Sequence, residues 1–249
     1  MSERTGTSPR VAIVTGGSRG IGRETAERLA ADGYAVVVDY AGNQAEADKV
    51  VAAITAAGGE ALALRADVAD ETAMADLFDT VEARFGGVDV VVHAAGVMTL
   101  APLADLDLDA LDRMHRTNVR GTFVVGQQAV RRLRAGGALI NFSSSVLGLA
   151  IPGYSGYAAT KGAVEAMTLI VAREMRGRDV TVNVVAPGPT ATALYLDGKD
   201  EETIARAAAQ PPLERLGTPG DIAGVVSFLA GPDGRWVNGQ VLRANGGVI

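Results

Sequence analysis

The sequence predicts an α/β fold, a single doubly wound domain over residues 1–249 built on a mostly parallel, seven-stranded sheet with helices on both faces. Three observations carry that prediction. Short runs of Val, Ala, Leu and Ile recur along the chain, longer segments of helical period separate them, and a glycine-rich turn follows the first run directly. Strands that are apolar on both faces and alternate with helices imply a parallel sheet covered on both sides.

The predicted strands are "VAIVTG" (11–16), "AVVVDY" (35–40), "ALALRADV" (61–68), "VDVVVHAAG" (88–96), "GALINFSSS" (137–145), "VTVNVVAPG" (180–188) and "GQVLRANGG" (239–247). Between them lie amphipathic stretches such as "RETAERLAADG" and "ETAMADLFDTVEARFGG", closed by the glycine expected past a helix C-terminus. No linker, repeat or low-complexity segment interrupts the pattern. One segment differs. From Thr190 to Gln210 the chain is polar and rich in small residues, and prolines 187, 189, 211 and 212 bracket it. In such folds a long excursion after a strand end covers the ligand or forms an ordinary surface helix pair, and the sequence leaves both open.

Composition narrows the function classes. Apolar residues make up 48% and aromatics only 4%, so the core must be mostly aliphatic. The 31 glycines sit in an apolar-rich chain, which points to tight βα connections rather than disorder. A net charge of −6 argues against a nucleic-acid surface, and the run "RRLR" (131–134) reads as a helix end. With no cysteine there is no disulfide, thiol nucleophile or cysteine metal site, and no metal is expected. The first ten residues lack the apolar core of a signal peptide, and no run of about 18 apolar residues exists to span a bilayer. A soluble cytoplasmic protein without membrane or nucleic-acid partners is expected.

The turn "TGGSRGIG" (15–22) ends the first strand and opens the first helix. Gly16, Gly20 and Gly22 remove side chains where backbone must approach a pyrophosphate, and the helix N-terminus offers free N–H groups; Ser18, Arg19 and Ile21 lie in the same turn. An acid ending the second strand bonds the ribose diol of NAD, whereas a nearby arginine accommodates the 2′-phosphate of NADP. The chain carries both, Asp39 and Arg19, with Tyr40 at the strand end. Adjacent strand residues face opposite sides, so Asp39 and Tyr40 cannot both face the ribose. The chain thus offers one group for each cofactor.

A second pattern is Tyr157 and Lys161 in "YAATK". On a helix, residues i and i+4 share a face, so the ammonium lies beside the phenol. A fixed cation lowers a phenol pKa from about 10, allowing it to exchange a proton with a carbonyl or alcohol oxygen. Tyr195 and Lys199 repeat the spacing in "YLDGK", but Asp197-Gly198 favours a turn, which makes the repeat a coincidence.

With these motifs the chain resembles the short-chain dehydrogenase/reductase family over nearly all its length, which implies a Rossmann domain. The family's T-G-x-x-x-G-x-G stands at Thr15–Gly22, its Asp-Val at Asp67 and Val68, and its Pro-Gly-x-x-x-Thr at Pro187, Gly188 and Thr192. Its Asn-Asn-Ala-Gly is altered to His93, Ala94, Ala95 and Gly96, which implies changed local bracing; His93 is read as a strand residue with its ring bonded to backbone rather than as a general base. The resemblance implies cofactor contacts from these positions and Thr190. It also implies four catalytic residues: Tyr157 as acid/base, Lys161 tuning it and bonding the nicotinamide ribose, Ser144 holding the carbonyl oxygen, and Asn118 anchoring a proton relay. Ser143 and Ser145 flank Ser144 and compete for its role. Members that prefer NADP carry an arginine like Arg19, and those that prefer NAD carry their acid where Tyr40 stands here, so the resemblance implies NADP(H) over NAD(H).

Within the family the chain most resembles 3-oxoacyl-(acyl carrier protein) reductases, which implies NADPH-dependent reduction of a ketone in a small-molecule carbonyl or acyl-thioester substrate. The alternatives are a stand-alone carbonyl reductase or alcohol dehydrogenase, and a catalytically silent nucleotide-binding regulator. Arg131, Arg132 and Arg173 are candidates for docking an acidic carrier, Met98, Leu147, Leu149, Tyr154 and Tyr195 for lining the cleft. The resemblance further implies a homotetramer.

Overall fold

The computed structural model describes residues 9–249, so most of the N-terminal stretch expected to lack a signal peptide lies outside the described residues. Seven strands form one sheet: β1 (Val11–Thr15), β2 (Ala35–Tyr40), β3 (Ala61–Arg65), β4 (Val88–His93), β5 (Leu133–Phe142), β6 (Thr181–Pro187) and β7 (Val241–Ala244). Their order is β3-β2-β1-β4-β5-β6-β7 and every neighbouring pair is parallel. The chain starts in the middle, winds out to β3, returns to β4 beside β1 and winds the other way. The strand order therefore reverses between β1 and β4, where a crevice opens beyond the strand ends.

Among the described residues ten α-helices connect the strands: α1 (Gly20–Ala31), α2 (Gln44–Ala56), α3 (Glu71–Phe85), α4 (Leu108–Met114), α5 (Gly121–Arg132), α6 (Val146–Leu149), α7 (Ser155–Glu174), α8 (Ala193–Leu196), α9 (Glu201–Ala209) and α10 (Pro219–Ala230). Alternation along the strands splits the interior into two cores. Val11 and Ile13 face Phe78, Met74, Val125 and Leu139, while Ala12 and Val14 face Leu29, Ile54, Val226 and Leu229. Full burial of each Val, Ile, Leu, Met or Phe side chain among them contributes about 1.5–3 kcal/mol. Caps fix the helix ends. Asp70 accepts from the Thr72 and Ala73 N–H groups to start α3, and Gly86, at φ +82°, ends it. Thr218 and Asp221 form a reciprocal capping box on α10, with Pro219 at its first position.

The structure alters one local expectation. β5 begins at Leu133 rather than Gly137, and its pairing with β4 shifts register between Val88 and Val90. Only part of "RRLR" therefore ends a helix. Arg132 closes α5 and bonds Asp79 and Glu82, whereas Arg134 lies in β5 and grips Asp89 through Nε at 3.0 Å and through Nη2. Asp89 also accepts from the Val11 N–H at 2.7 Å, so one buried carboxylate ties the starts of three neighbouring strands.

Candidate active site

Two cavities meet at the C-terminal ends of the strands. The first, of about 540 Å³, is lined by Gly16, Ser18, Arg19, Gly20, Ile21, Gly22, Asp39, Tyr40, Asp67, Val68, Ala95, Gly96 and Thr192. All thirteen were expected from sequence to contact a dinucleotide. Pro187, Gly188, Thr190, Tyr157 and Lys161 line the adjoining cavity instead, and Ile21, Ala94, Gly96, Thr192 and Leu194 border both.

The first cavity suits a dinucleotide chemically. α1 begins with no side-chain cap and no acid in its first turn, whereas α2 and α3 are capped by Asn43 and Asp70. Free N–H groups at a positive helix end favour a phosphate. Gly20 bends the turn at φ +54°. A Cβ on Gly96 would stand 3.4 Å from Asn118 Oδ1 and 3.7 Å from Lys161 Nζ, crowding the passage between the two cavities.

Asp39 lines this cavity but is buried, and its Oδ1 accepts from the Ala66 N–H at 3.1 Å. Burial pushes its carboxyl up to about 8, opposed by backbone N–H groups of Ala66 and Gly16. At neutral pH it is largely an uncharged brace beneath the cavity, unlike a carboxylate presented to a ribose diol. Arg19 is exposed at the mouth, and its side chain bonds nothing among the described residues. Asp67 accepts from Ala69 N–H at 2.9 Å and from Arg116 Nη1 at 2.6 Å; these bonds lower its pKa against the opposing effect of burial. Arg116, Thr117, Ala41, Gly42 and Asn43 also line the cavity and were missed from sequence. Gly42 and Asn43 carried a signal, the turn "DYAGN" after β2. Arg116 carried none, since its partner is 49 residues away.

The second cavity, of about 450 Å³, holds the four expected catalytic residues or abuts them. The three serines after β5 separate by their partners. Ser143 Oγ donates to Glu165 at 2.6 Å, and Ser145 Oγ lies between Ala186 O at 3.2 Å and Asn245 Nδ2 at 3.0 Å; both are buried. Ser144 is half-buried, accepts from the Val146 N–H at 3.3 Å, and acts through its hydroxyl on Tyr157. Lys161 Nζ donates to the Phe142 carbonyl at 2.9 Å and stands 5.7 Å from the Tyr157 ring centroid. Asn118 sits in a π-helical widening, His115–Arg120, between α4 and α5. Such widenings re-aim side chains and recur at functional sites. Its amide clamps Val97, accepting from N–H at 2.9 Å and donating to O at 2.8 Å, and donates to Thr160 Oγ1 at 3.1 Å.

The expected lowering of the Tyr157 pKa by Lys161 is not what this geometry gives. Burial pushes the phenol up to about 12, Tyr154 adds to the rise, and the Ser144 hydrogen bond opposes it. Lys161 is itself pushed down to about 8 by burial, and its ammonium is directed to the Phe142 carbonyl. Tyr157 is therefore a firmly protonated acid at neutral pH.

Three other expectations resolve here. His93 is buried; its Nδ1 lies 2.8 Å from Thr15 Oγ1, a side-chain rather than backbone partner, and burial with Lys161 nearby pushes it down to about 3. It stays neutral, bracing β1 against β4 in place of an amide. Met98, Leu149, Tyr154 and Tyr195 line the cavity, but Leu147 does not; it turns toward Gly162 on α7, a position opposite α6 that allows close approach. Gly198, at φ +75°, ends the α8 turn as expected, yet Lys199 still lies 4.3 Å over the Tyr195 ring and both line the cavity. Among the described residues no helix is long and apolar enough to cross a membrane, and no cluster of metal-ligating side chains occurs.

Fold and site together define a nucleotide-dependent oxidoreductase. A family model described as enoyl-(acyl carrier protein) reductase matches residues 16–249. A short-chain type dehydrogenase/reductase of Picea abies is 44% identical over 96% of this chain and 92% of its own. An NADPH-dependent aldehyde reductase-like chloroplastic protein of Arabidopsis thaliana is 38% identical over 96% and 94%. A short-chain dehydrogenase from Burkholderia cenocepacia, solved in complex with NADP, superposes with a TM-score of 0.90 at 39% identity, covering 97% of this chain and 98% of that one. The chain belongs to the short-chain dehydrogenase/reductase family.

Proposed function

We propose that the protein reduces a carbonyl compound to an alcohol with NADPH. The observation that carries this reading is the sorting of the three serines. Only Ser144 is left accessible beside Tyr157, with Lys161 behind them and the nucleotide cavity adjoining. When bound, NADPH supplies the hydride. Ser144 Oγ holds the carbonyl oxygen toward the phenol, and Tyr157 gives that oxygen its proton. Lys161 would hold the nicotinamide ribose, and it supplies positive charge near the phenol as that group loses its proton. Asn118 fixes the Val97 loop and anchors proton resupply.

NADPH is favoured over NADH because Arg19 is a free cation at the cavity mouth while Asp39 is engaged below it. Relatives named for NADPH or solved with NADP support the same choice. Arg19→Ala should weaken NADPH binding by about tenfold to a hundredfold, the range of a charged hydrogen bond, and leave NADH nearly unchanged. Fluorescence titration of both cofactors checks this, and equal losses would return the discrimination to Asp39.

Two substrate readings remain in play, a 3-oxoacyl thioester and a free aldehyde or ketone. The Arabidopsis relative's name favours the second. So does the loss of Arg132 to Asp79 and Glu82, which leaves Arg131 and Arg173 as the exposed candidates for carrier docking. The 190–210 segment is proposed as the substrate lid, since Leu194, Tyr195, Thr203 and Ala207 line the cavity. A homotetramer is supported by the exposed Ile170 on α7 and Trp236 near β7. NADPH consumption with an acetoacetyl thioester beside simple aldehydes and ketones tests the reading. A free carbonyl compound is expected to give the higher kcat/KM, and a strong thioester preference would restore the fatty-acid reductase reading.

A further inference from the structure

Three charged side chains line the substrate cavity, Lys161, Lys199 and Arg206, and all are cations. The segment carrying the last two also carries four acids, Asp197, Asp200, Glu201 and Glu202. Each is exposed, and none reaches the cavity wall. Asp200 is used as the cap of α9, accepting from the Thr203 N–H at 2.8 Å. Glu202 opposes Arg206 at 2.9 Å, so the Arg206 charge is already answered on the outer surface. Lys199 has no carboxylate within ion-pairing distance among the described residues. It bonds the Tyr195 carbonyl oxygen and lies over the Tyr195 ring.

The position of Lys199 relative to the chemistry follows from a row of phenols. Tyr154 lies near enough to Tyr157 and to Tyr195 to perturb both, and Lys199 stacks on Tyr195. Elsewhere the wall carries apolar surface from Met98, Leu149, Ile151 and Leu194, beside uncharged polar side chains such as Thr192, Thr203 and Gln210. A ligand in this cavity therefore meets proton donors, apolar surface and one ammonium that no carboxylate answers.

We propose that Lys199 is an anion-recognition point, so that the preferred substrate joins its carbonyl group through an apolar body to an anionic group. The proposal rests on the carbonyl-reductase reading for the words "substrate" and "carbonyl", but the anion site itself does not. Burial lowers the Lys199 pKa while Asp197 raises it, as for a cation held at a cavity wall with only distant compensation. The anion has two possible sources of shared chemistry, a carboxylate on the substrate itself or the phosphate of a phosphopantetheine thioester.

The test is binding by calorimetry to the full chain, using 4-phenylbutanoate against its uncharged amide, and pantetheine 4′-phosphate against pantetheine. In at least one pair the anion is expected to bind about tenfold tighter, a modest value for a charge-assisted contact at a half-buried site. Lys199→Met, which keeps the stem over Tyr195, should abolish that advantage, and Lys199→Arg should keep it. Preference in the first pair alone identifies a carboxylate, and in the second alone a phosphorylated thioester. Equal binding in both pairs, or an anion advantage that survives in Lys199→Met, overturns the proposal. Turnover of a carbonyl panel, run alongside, separates the two claims: an anion preference without turnover rejects the reductase reading alone, whereas turnover without anion preference rejects the anion site alone.

Discussion

Tyr157→Phe should lower kcat for carbonyl reduction by about 10²–10⁴-fold, the usual contribution of a positioned general acid. The substitution removes one hydroxyl and keeps the ring, so the half-buried packing beneath the cavity is retained. Because the phenol stands in the cavity with Ser144 as its hydrogen-bonding neighbour, no backbone group loses a partner. NADPH affinity and melting temperature should therefore stay close to wild type, which distinguishes lost chemistry from lost structure. Tyr195→Phe is the matched control. It alters the other Tyr-x-x-x-Lys pair on the same cavity wall and should change kcat less than threefold, a value of order 0.6 kcal/mol in barrier height. More than a tenth of wild-type kcat remaining in Tyr157→Phe would remove Tyr157 from the acid's role.

The same phenol sets a pH asymmetry. With its pKa pushed up to about 12, Tyr157 is protonated throughout the neutral range and ready to donate. Alcohol oxidation needs the phenolate, and below its pKa the phenolate fraction rises tenfold per pH unit. Oxidation should then climb steadily with pH across an assay window, while reduction shows no such climb.

The fold was legible because its signals are local. β1, β2 and β4 are buried on both faces, and the sequence writes them mostly in Val, Ala and Ile, with Asp89 the break in β4. The nucleotide turn was legible because its glycines stand between such a run and a helix start. What stayed hidden depends on partners far along the chain. Ser144 is distinguished from Ser143 and Ser145 by Glu165 and Asn245, 22 and 100 residues away. Arg134 is drawn into β5 by Asp89, 45 residues earlier, and no helix-ending pattern records that. The i,i+4 spacing correctly put Lys161 beside Tyr157, but spacing carries no measure of burial, and burial sets both pKa values. Sequence also treated Lys199 as a coincidence of spacing. Its helical pairing with Tyr195 is indeed broken by Gly198, yet Lys199 still lies over the Tyr195 ring and lines the cavity.

The strongest prediction about the nucleotide turn sets two opposing effects against each other at Gly22. Alanine is favoured over glycine inside a helix by about 1 kcal/mol, and Gly22 is the third residue of α1. A Cβ there, however, would lie 2.3 Å from the Gly16 carbonyl oxygen and 2.9 Å from its carbon. Both are backbone atoms of the turn that presents the helix N-terminus, so neither can swing aside as a flexible side chain would. Overpacking of this kind typically costs about 1–3 kcal/mol, occasionally more. The clash should win, and Gly22→Ala should lower the melting temperature by roughly 2–8 °C for a chain of this size. Relief requires the turn to move away from α1, which should weaken NADPH binding by at least about tenfold through lost phosphate contacts. Gly224→Ala supplies the opposite case. It lies inside α10, where a Cβ would meet nothing nearer than Arg28 Nη1 at 4.0 Å. There only the propensity acts, and the melting temperature should rise by about 2–4 °C with NADPH affinity unchanged. A Gly22→Ala protein that melts at or above wild type and binds NADPH normally would show that the turn is not held against the helix as described.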